Sequence, residues 1–578
     1  MMERLEYDKY MSLRNKYETI YNRLSNIRLF LFIIMIISFI LKYYYYKYFF
    51  NIVFILTLVS FIFIVLISNK YFKIYDYYLK YVEVIDKYLA REDGRWKNYK
   101  DKGEDFISSE VNYLKDLDII GNNSLFQYLS FCNTLGGRDK LFNKLSNISI
   151  SKDELKNRQL LIKELSNNKE FCINFLVYMS EFNEKNVYLS RDFEELCKKG
   201  DNKLDRVIGI ISSIISIILL IFGVFKVIDM AYFYGIFFFN LIISYMYSYI
   251  YRDEFEFIDK LSNNYSKLSD VLKYVSSYKG VSPFMKKYVK EMKNGVVGIS
   301  NLKKLEGLNS LKNNIISTFL FNGLFCLNIH IRSNYFSFVD NYSSKLNLSI
   351  LNIEELESMI SLSTIGIVKN NKVMPVLSDS IVLKFEGLKH PLIDEDLCVE
   401  NVISTKNGVN IITGSNMGGK TTFLRTIGIN LILMQSGTYV CGEYFNASYF
   451  KIFTSMRVVD DVDRGISTFY GELLRIKDMI DYNGKGNMIV LIDEIFKGTN
   501  YNDRMYGARE VVKKLNNKST IAFITTHDFE LCDEENICNY YVKESYEKDK
   551  IIFDFKVRKG RCNSTNAKYL MKMLDIVN

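Results

Sequence analysis

Apolar residues form four long runs in the first half of the chain, and these runs come in pairs. The first pair is Leu29 to Leu41 and Phe49 to Ile67, with the tyrosines Tyr43 to Tyr46 between them. With the tyrosines counted in the first run, each half approaches the ~20 residues that a bilayer core requires, and the tyrosines lie where an interfacial aromatic belt is expected. The pattern predicts a transmembrane helical hairpin over residues 29–68, with its turn near Lys42–Lys47.

A second hairpin is predicted over residues 207–251. Val207 to Phe225 is apolar, Lys226–Asp229 reads as a turn, and Met230 to Tyr251 is apolar again. Buried core helices are the structural alternative for these stretches, but four runs of this length in two pairs favour membrane spans. Ile315–Ile329 is also apolar but carries two asparagines, so a buried helix is predicted there, with a fifth membrane segment as the alternative.

The remaining sequence divides by its periodicity. Residues 69–206 and 252–379 show helical spacing, for example over Tyr71–Leu89, Ser124–Leu145, Lys152–Leu165, Glu254–Tyr278 and Ile353–Ile365. From about residue 380, short strands alternate with helices, as in a layered α/β domain. The predicted organisation is an N-terminal segment (1–28), hairpin (29–68), helical domain (69–206), hairpin (207–251), helical lever region (252–379) and α/β domain (380–578).

Charge predicts the orientation of the hairpins. Residues 1–28 hold six Lys or Arg, whereas each predicted turn holds one or two. The positive-inside rule therefore places both turns outside and all soluble parts in the cytoplasm. The formal net charge of +9 is compatible with a nucleic-acid or anionic-lipid partner, but compositional bias together with basic membrane flanks is the favoured explanation.

Cysteine and histidine usage excludes some classes of protein. The nine cysteines are scattered without a C-x-x-C pair, and the chain has three histidines. This pattern predicts a reducing compartment, without a disulfide framework, a zinc site or a histidine-rich metal centre.

A phosphate-binding loop is predicted from Gly414 to Thr422. The first eight residues fit G-x-x-x-x-G-K-[ST] and follow a β-branched run that ends at Ile412, and a helical pattern starts at Phe423. A strand, a glycine loop and a helix N-terminus together point backbone N–H groups at one anion. The residues expected to bind nucleotide are Gly414, Ser415, Asn416, Met417, Gly418, Gly419, Lys420, Thr421 and Thr422, with Lys420 at the β- and γ-phosphates and Thr421 on Mg²⁺. An ordinary glycine-rich turn is the alternative.

Two later strand ends carry candidate catalytic groups. Met488 to Ile492 reads as a buried strand that ends in Asp493 and Glu494, where Asp493 is expected to bind Mg²⁺ and Glu494 to orient or deprotonate water. Paired acids could instead cap a helix. A further strand, Thr520 to Thr525, leads to His527, which could sense the γ-phosphate or polarise water, although a lone histidine is often structural.

Between these motifs, Ser467 and Thr468 follow Gly465 in an acidic stretch that starts at Asp460. A glycine followed by two hydroxyls could contact the phosphate of a nucleotide on a second subunit. Taken alone, the stretch could also be a helix cap with Ser467 at the N-cap position.

Together these stretches resemble the ATPase domain of the MutS family. The resemblance is carried by TGSNMGGKTTFLRTIG, DDVDRGISTFYGELLRI, VLIDEIFKGTN and ITTHDFEL, in this order and spacing. NTLGGRDKLFNKL resembles that family's helical core domain, while IEELESMISLSTIG and GLKHPLI resemble the end of its lever helices and the entry to its ATPase domain. The resemblance covers roughly residues 120–180 and 350–578, and more loosely 255–350.

The resemblance implies an α/β P-loop ATPase domain of ABC type at the C-terminus, preceded by an all-α core and lever domain that two transmembrane hairpins interrupt. It implies ATP and Mg²⁺ as cofactors, with Thr421 and Asp493 on the metal and Glu494 and His527 in hydrolysis. It also implies a homodimer in which Ser467 and Thr468 reach the γ-phosphate bound by the opposite subunit.

The departures from the family concern DNA. Only 28 residues precede the first hairpin, so the family's N-terminal mismatch-reading domain is not expected here. The second hairpin stands where the family inserts its DNA-gripping clamp. Near Cys398 the chain lacks the aromatic residue on which the family often stacks adenine. After the two acids, Asp503-Arg504 stands where the family usually has Asp-Gly.

Three functions are compatible with these observations. The first is a membrane-anchored MutS-like ATPase, with lipid as a partner, that still binds mismatched or branched DNA. The second is an ATP-driven membrane machine without a DNA role. A transporter half is the third and weakest. A DNA-binding version should carry basic residues on a lever, and the candidates are Lys286, Lys287, Lys290, Lys293, Lys303 and Lys304.

Overall fold

A computed structural model describes residues 2–45, 48–106, 111–146, 151–182, 188–197, 200, 203–405, 407–457, 468–496, 499–547 and 550–561. The chain divides into two compact units. The first comprises Met1–Asn98 and Lys169–Ser180, and the second comprises Tyr99–Asn168 and Glu181–Asn578.

The described α-helices are α1 (Met2–Tyr45), α2 (Tyr48–Glu92), α3 (Asn112–Asp116), α4 (Leu125–Leu129), α5 (Leu135–Ser146), α6 (Lys152–Asn167), α7 (Lys169–Met179), α8 (Leu189–Leu196), α9 (Lys203–Val224), α10 (Met230–Ile250), α11 (Arg252–Tyr265), α12 (Leu268–Ser277), α13 (Pro283–Ser310), α14 (Ile315–Phe325), α15 (Leu327–Phe338), α16 (Ser344–Leu362), α17 (Thr364–Val368), α18 (Lys420–Gln435), α19 (Thr468–Tyr482) and α20 (Tyr501–Leu515). A π-helical turn, Val339–Ser343, joins α15 to α16. Short 3₁₀ turns lie at Arg95–Asn98, Glu104–Phe106, Ser180–Phe182, Leu311–Asn313, Asn416–Gly418 and Phe529–Asp533.

The first unit is an antiparallel pair of very long helices, α1 and α2, with α7 against α2. Tyr10 stacks near Tyr81, with ring centroids 4.1 Å apart, and Phe39 lies near Phe54 at the other end, so the two helices run in opposite directions. The apolar run and the polar segment before it form one continuous helix, α1, across the boundary expected at residue 28. None of the three prolines in the chain interrupts this pair.

Among the described residues, four helices are long and apolar enough to cross a membrane: Arg4–Tyr45, Tyr48–Glu92, Leu204–Val224 and Met230–Ile250. They contain the four apolar runs of the two predicted hairpins, and the first two extend well beyond them. Lys226, at φ 59°, lies in the turn between α9 and α10. Their insertion in a membrane remains a prediction from length and composition.

The segment predicted as one buried helix at 315–329 is different in the structure. Cys326 has a left-handed backbone, with φ 49°, and ends α14, so α14 and the helix that starts at Leu327 meet at an angle of 82°. Ile315 and Ile316 are 88% and 70% exposed, whereas Asn322 and Asn328 are buried against α10. The prediction of a single buried helix was therefore wrong: the asparagines bond across the break, and the N-terminal part of the segment is exposed.

The helical part of the second unit is more divided than its periodicity suggested. The predicted Ser124–Leu145 helix is α4 and α5, and Glu254–Tyr278 is α11 and α12. α16 packs on α5, α8 and α13. Ser282 caps α13 by accepting a hydrogen bond from the Met285 N–H, with Pro283 at the first helical position, a usual start signal.

The α/β part contains two sheets. The strands are β1 (Val376–Ser378), β2 (Leu383–Leu388), β3 (Asn401–Thr405), β4 (Gly408–Thr413), β5 (Tyr444–Ser448), β6 (Lys451–Ser455), β7 (Met488–Asp493), β8 (Thr520–Thr525), β9 (Cys538–Glu547) and β10 (Lys550–Lys559). One sheet has the order β1-β5-β2-β3 and the other β10-β9-β4-β8-β7-β6. In the larger sheet β6, β7, β8, β4 and β9 are parallel. Its centre is fully buried, as expected for a parallel sheet covered on both faces.

Candidate functional site

The carboxyl ends of three neighbouring strands carry the predicted site. β8 lies between β4 and β7, and Thr525 pairs with Ile412 on one side and with Asp493 on the other. Because parallel strands end at the same edge of a sheet, the phosphate loop, the two acids and His527 emerge side by side. This edge is the usual place for ligands in open α/β sheets.

Glycine is required in the loop after β4. Gly414 has φ 136° and Gly419 has φ 85°, both in the region that L side chains avoid. A Cβ on Gly414 would lie 2.4 Å from Val542 Cγ2, and one on Gly418 would lie 2.6 Å from the same atom. β9 therefore packs so closely on the loop that side chains there would displace it.

Lys420 opens α18 and is buried under the loop. Its ammonium donates to the carbonyl oxygens of Gly414, at 2.6 Å, and Ser415, at 2.9 Å. It lies 3.4 Å from His527 Nε2. A positive charge at the N-terminus of a helix, beneath a glycine loop, is an arrangement that fits phosphate groups.

A hydroxyl and a carboxylate meet beside the loop. Thr421 Oγ1 donates to Asp493 Oδ2 over 2.8 Å, and Thr525 Oγ1 donates to Asp493 Oδ1 over 2.7 Å. Thr421 and Asp493 together offer the oxygen ligands that Mg²⁺ prefers. These two residues fit a magnesium site. Thr525 orients the carboxylate of Asp493 through the oxygen that Thr421 does not contact.

The predicted catalytic pair is in contact. His527 Nε2 lies 3.2 Å from Glu494 Oε1, and both side chains are partly exposed. Glu494 has a left-handed backbone, with φ 56°, and its N–H donates to Thr525 Oγ1 over 2.9 Å. A non-glycine residue in this region is strained, and such strain often lies at functional sites.

Two further contacts support this pair, and neither was predicted. The buried Glu472 of α19 accepts a hydrogen bond of 2.6 Å from the N–H of Phe496, two residues after Glu494. Arg504 of α20 binds Asp528, next to His527, through both carboxylate oxygens at 2.9 and 3.0 Å. The arginine that departs from the family's usual Asp-Gly thus holds α20 against the end of β8.

The remaining predicted residues are placed as follows. Asn416 and Met417 lie in the 3₁₀ turn of the loop, with Met417 exposed, and Thr422 is exposed on the first turn of α18. Thr468 is the first residue of α19. Ser467, with the stretch from 458, lies outside the described residues.

Phe555 is an additional candidate that its sequence surroundings did not indicate. It lies in β10 where the pairing with β9 shifts register, has φ 53°, and is 45% exposed. Its Cδ1 would be 3.0 Å from a Cβ on Gly419. An exposed aromatic ring beside a phosphate loop can stack on a planar base.

His390, in the GLKHPLI stretch, is a buried residue next to α18. Its Nδ1 accepts from the Leu392 N–H, and the preceding carbonyl, of Lys389, accepts from Asn430 of α18 at 3.0 Å. Burial, with the nearby charges of Arg425 and Lys369, lowers the pKa of His390 to about 4. The ring is therefore neutral near pH 7 and serves packing. Cys398 accepts a hydrogen bond from the His390 N–H.

The fold and the site define the class as an α/β P-loop ATPase domain. The comparison with protein families agrees, because residues 410–576 match the model of MutS domain V, the ATPase domain of that family. The C-terminal part of the chain is therefore similar to MutS domain V.

Curated relatives match the same part of the chain. The DNA mismatch repair protein MutS of Macrococcus caseolyticus is 28% identical over 251 residues, which is 41% of this chain and 29% of that protein. The MutS proteins of Staphylococcus epidermidis and Clostridium botulinum are each 28% identical, over 42% and 39% of this chain and 29% and 25% of their own length. The chain thus spans less than a third of the length of these relatives.

Proposed function

We propose that the protein is a membrane-anchored, MutS-like ATP hydrolase that works as a homodimer. The observation that supports it most is the convergence of five predicted groups at one sheet edge. His527 lies 3.4 Å from Lys420 and 3.2 Å from Glu494, and beside them Thr421 donates to Asp493 over 2.8 Å. These are the parts that phosphoryl transfer to water requires: a phosphate cradle, metal ligands and a base.

The proposed roles follow from the contacts. Residues Gly414 to Thr422 bind the phosphates, and Phe555 is proposed to stack on the base. Thr421 and Asp493 hold Mg²⁺, which supplies charge neutralisation on the phosphate oxygens. Glu494 orients and deprotonates water, and His527 holds the glutamate carboxylate and faces the phosphate side of Lys420.

The dimer is proposed because the MutS resemblance implies two subunits that share the nucleotide site, and Thr468, one of the residues expected to contact it, is the exposed first residue of α19. Thr468 and, by the family resemblance, Ser467 contact the γ-phosphate bound by the opposite subunit. The four apolar helices anchor each subunit in the cytoplasmic membrane, with the ATPase and helical domains in the cytoplasm.

The test is ATP turnover by the full chain purified in detergent. Glu494→Gln removes the base while its shape and the Thr525 contact remain, so kcat should fall by about 10²- to 10⁴-fold. ATP binding, followed by a fluorescent analogue, should persist. Glu510→Gln, on an exposed face of α20, is the matched control and should turn over ATP like the original protein. Normal turnover by Glu494→Gln would contradict the proposal.

One observation favours the hypothesis that ATP hydrolysis drives a conformational change of the apolar helices. Leu327 to Leu362 is one continuous helical run that starts beside α9 and α10, and the carbonyl of Leu362 accepts from Thr438 of the ATPase domain over 2.6 Å. The second hypothesis is that ATP hydrolysis is coupled to DNA binding, and the names of the relatives, which are DNA mismatch repair proteins, support it. Titration of duplex, branched and mismatched DNA across a salt series, with and without ATP, separates them: steeply salt-dependent binding that responds to ATP favours DNA.

A further inference from the structure

Asp116 is a buried carboxylate that belongs to the helical region but bonds to the ATPase domain. It ends α3, and its side chain is almost fully enclosed. Its two oxygens accept from Thr454 Oγ1 at 2.7 Å, the N–H groups of Met456 and Arg457 at 3.1 and 3.2 Å, and Arg475 Nη1 at 2.8 Å. A buried carboxylate with four donors holds all of those donors in place.

The next two residues extend the contact. Asp118, at φ 52°, pairs with Arg425 at 3.3 Å and with Arg457 at 2.7 Å. Leu117 between the aspartates is fully buried under α18, where a Cβ on Gly428 would lie 2.6 Å from its Cδ1. The Asp116–Asp118 turn therefore fits into a recess that glycine creates in α18.

Three arginines from three ATPase elements meet at this turn. Arg425 lies on α18, which carries the phosphate loop at its start, and its Nε donates to the Asp116 carbonyl over 3.1 Å. Arg457 follows β6, and Arg475 lies on α19, whose first residue is Thr468. The turn thus joins the phosphate-loop helix to the helix proposed to act on the opposite subunit's nucleotide.

We propose that Asp116 is a positioning residue for ATP hydrolysis, which sets α19 against α18 so that Thr468 meets the partner's nucleotide. This inference rests on the proposed dimeric ATPase. Asp116 acts through Arg475 and Arg457. Its loss should therefore slow ATP hydrolysis at the site that two subunits share, while the binding of ATP by a single subunit should be unchanged.

The experiment compares Asp116→Asn with Asp101→Asn in the full chain in detergent. The amide removes one acceptor and the charge that Arg475 needs, so kcat should fall about tenfold while the KM for ATP stays within about twofold. ATP-induced dimerisation, measured by light scattering, should weaken in parallel. Asp101→Asn breaks an arginine pair of similar length inside the helical region, with Arg138 at 2.7 Å and the carboxylate 36% exposed, and should keep the original kcat.

A double-mutant cycle separates positioning from simple stability. If Asp116 and Arg475 act as one unit, the Asp116→Asn and Arg475→Gln pair should lose no more kcat than either single variant. Additive losses, or a KM that rises together with the fall in kcat, would overturn the inference. If Asp116→Asn does not fold, Arg475→Gln and the partly exposed Asp118→Asn take its place, and original kcat in both would overturn it.

Failure of this inference is distinguishable from failure of the proposed function. An inactive Glu494→Gln together with a fully active Asp116→Asn overturns only the positioning role. A fully active Glu494→Gln overturns the ATPase assignment itself.

Discussion

The two apolar hairpins are alike in composition but differ in what lies between their helices. In the first, α1 and α2 meet through aromatic rings such as Phe32 with Phe61, and the Thr57 hydroxyl donates to carbonyls of its own helix. In the second, Asn240 of α10 bonds to Ser212 and Ser216 of α9 and to the carbonyl of Gly323 in α14. Polar side chains that bond between helices fix rotation and depth in a way that apolar contacts do not.

The charged groups on the helices that extend from the two hairpins also differ, in how far they are exposed to solvent. Arg95, just after α2, pairs with Asp86 and Asp93 in the open, where its side chain is half exposed. Arg332 of α15 is buried between Asp205 at the start of α9 and Glu254 of α11. The helices of the first hairpin are thus held to each other by apolar contacts, whereas those of the second are bonded through buried polar and charged groups to the helices that lead to the ATPase domain.

The largest expected effect is at Arg332. Arg332→Gln leaves Asp205 and Glu254 without their cation in a buried place, so the free energy of unfolding should fall by about 3–5 kcal/mol. Arg95→Gln, the corresponding change just after the end of α2, should cost less than about 1 kcal/mol because the pair is exposed. Denaturant midpoints in detergent measure both changes. Equal losses of stability would mean that the buried pair at Arg332 holds the structure no more strongly than the exposed pair at Arg95.

The next effect concerns Glu357, near the far end of the helical run from Leu327 to Leu362 that also contains Arg332. It is buried, accepts from the Asn133 N–H at 2.9 Å and from Thr134 Oγ1, and burial raises its pKa from 4.5 to about 7. Above pH 4.5 this carboxyl group loses its proton more readily in the unfolded protein than in the folded one, and that loss favours unfolding. Stability should therefore fall by up to about 3 kcal/mol as the pH rises from about 4.5 to about 7.

Glu357→Gln removes this titration. The difference in unfolding midpoint between the two proteins, measured from pH 4 to pH 8, should follow the titration of this one group. Parallel pH profiles for the two proteins would show that Glu357 does not titrate in this range.

The smallest effect tests the hairpin interiors directly. Asn240→Leu removes three hydrogen bonds between helices and leaves serine hydroxyls and a carbonyl to find other partners, so it should cost about 1–3 kcal/mol. Thr57→Val in the first hairpin loses a bond only to its own helix and should cost about 0.5 kcal/mol or less. The same midpoint measurements apply, and a Thr57→Val loss as large as that of Asn240→Leu would mean that the first hairpin is also held by polar contacts.

Local patterns were sufficient to place the four apolar helices and to predict which strand ends meet at one edge of the sheet. The turn predicted at Lys226–Asp229 lies between the end of α9 at Val224 and the start of α10 at Met230. The phosphate loop, Asp493, Glu494 and His527 meet at one edge because each follows a strand of the same parallel sheet. Spacing and strand patterns carry that information directly.

Contacts between distant parts of the chain could not be predicted in this way. Asp116 lies more than 300 residues from the three arginines around it, and no periodic pattern links them. The break at Cys326 depends on a left-handed cysteine, a conformation with no local signal when glycine is absent. Phe555 reaches the phosphate loop only because β10 shifts register against β9.

The continuous run from Leu327 to Leu362 has a mechanical consequence. Thirty-six helical residues at 1.5 Å each make a rod about 54 Å long, so a tilt of about 5° at one end displaces the other by about 5 Å. The π-helical turn at Val339–Ser343 is the one irregular place along that rod, where the usual hydrogen-bond spacing of the α-helix changes. A small tilt of the rod at its α9 and α10 end therefore moves Leu362, and with it the contact to Thr438 of the ATPase domain, by several ångströms.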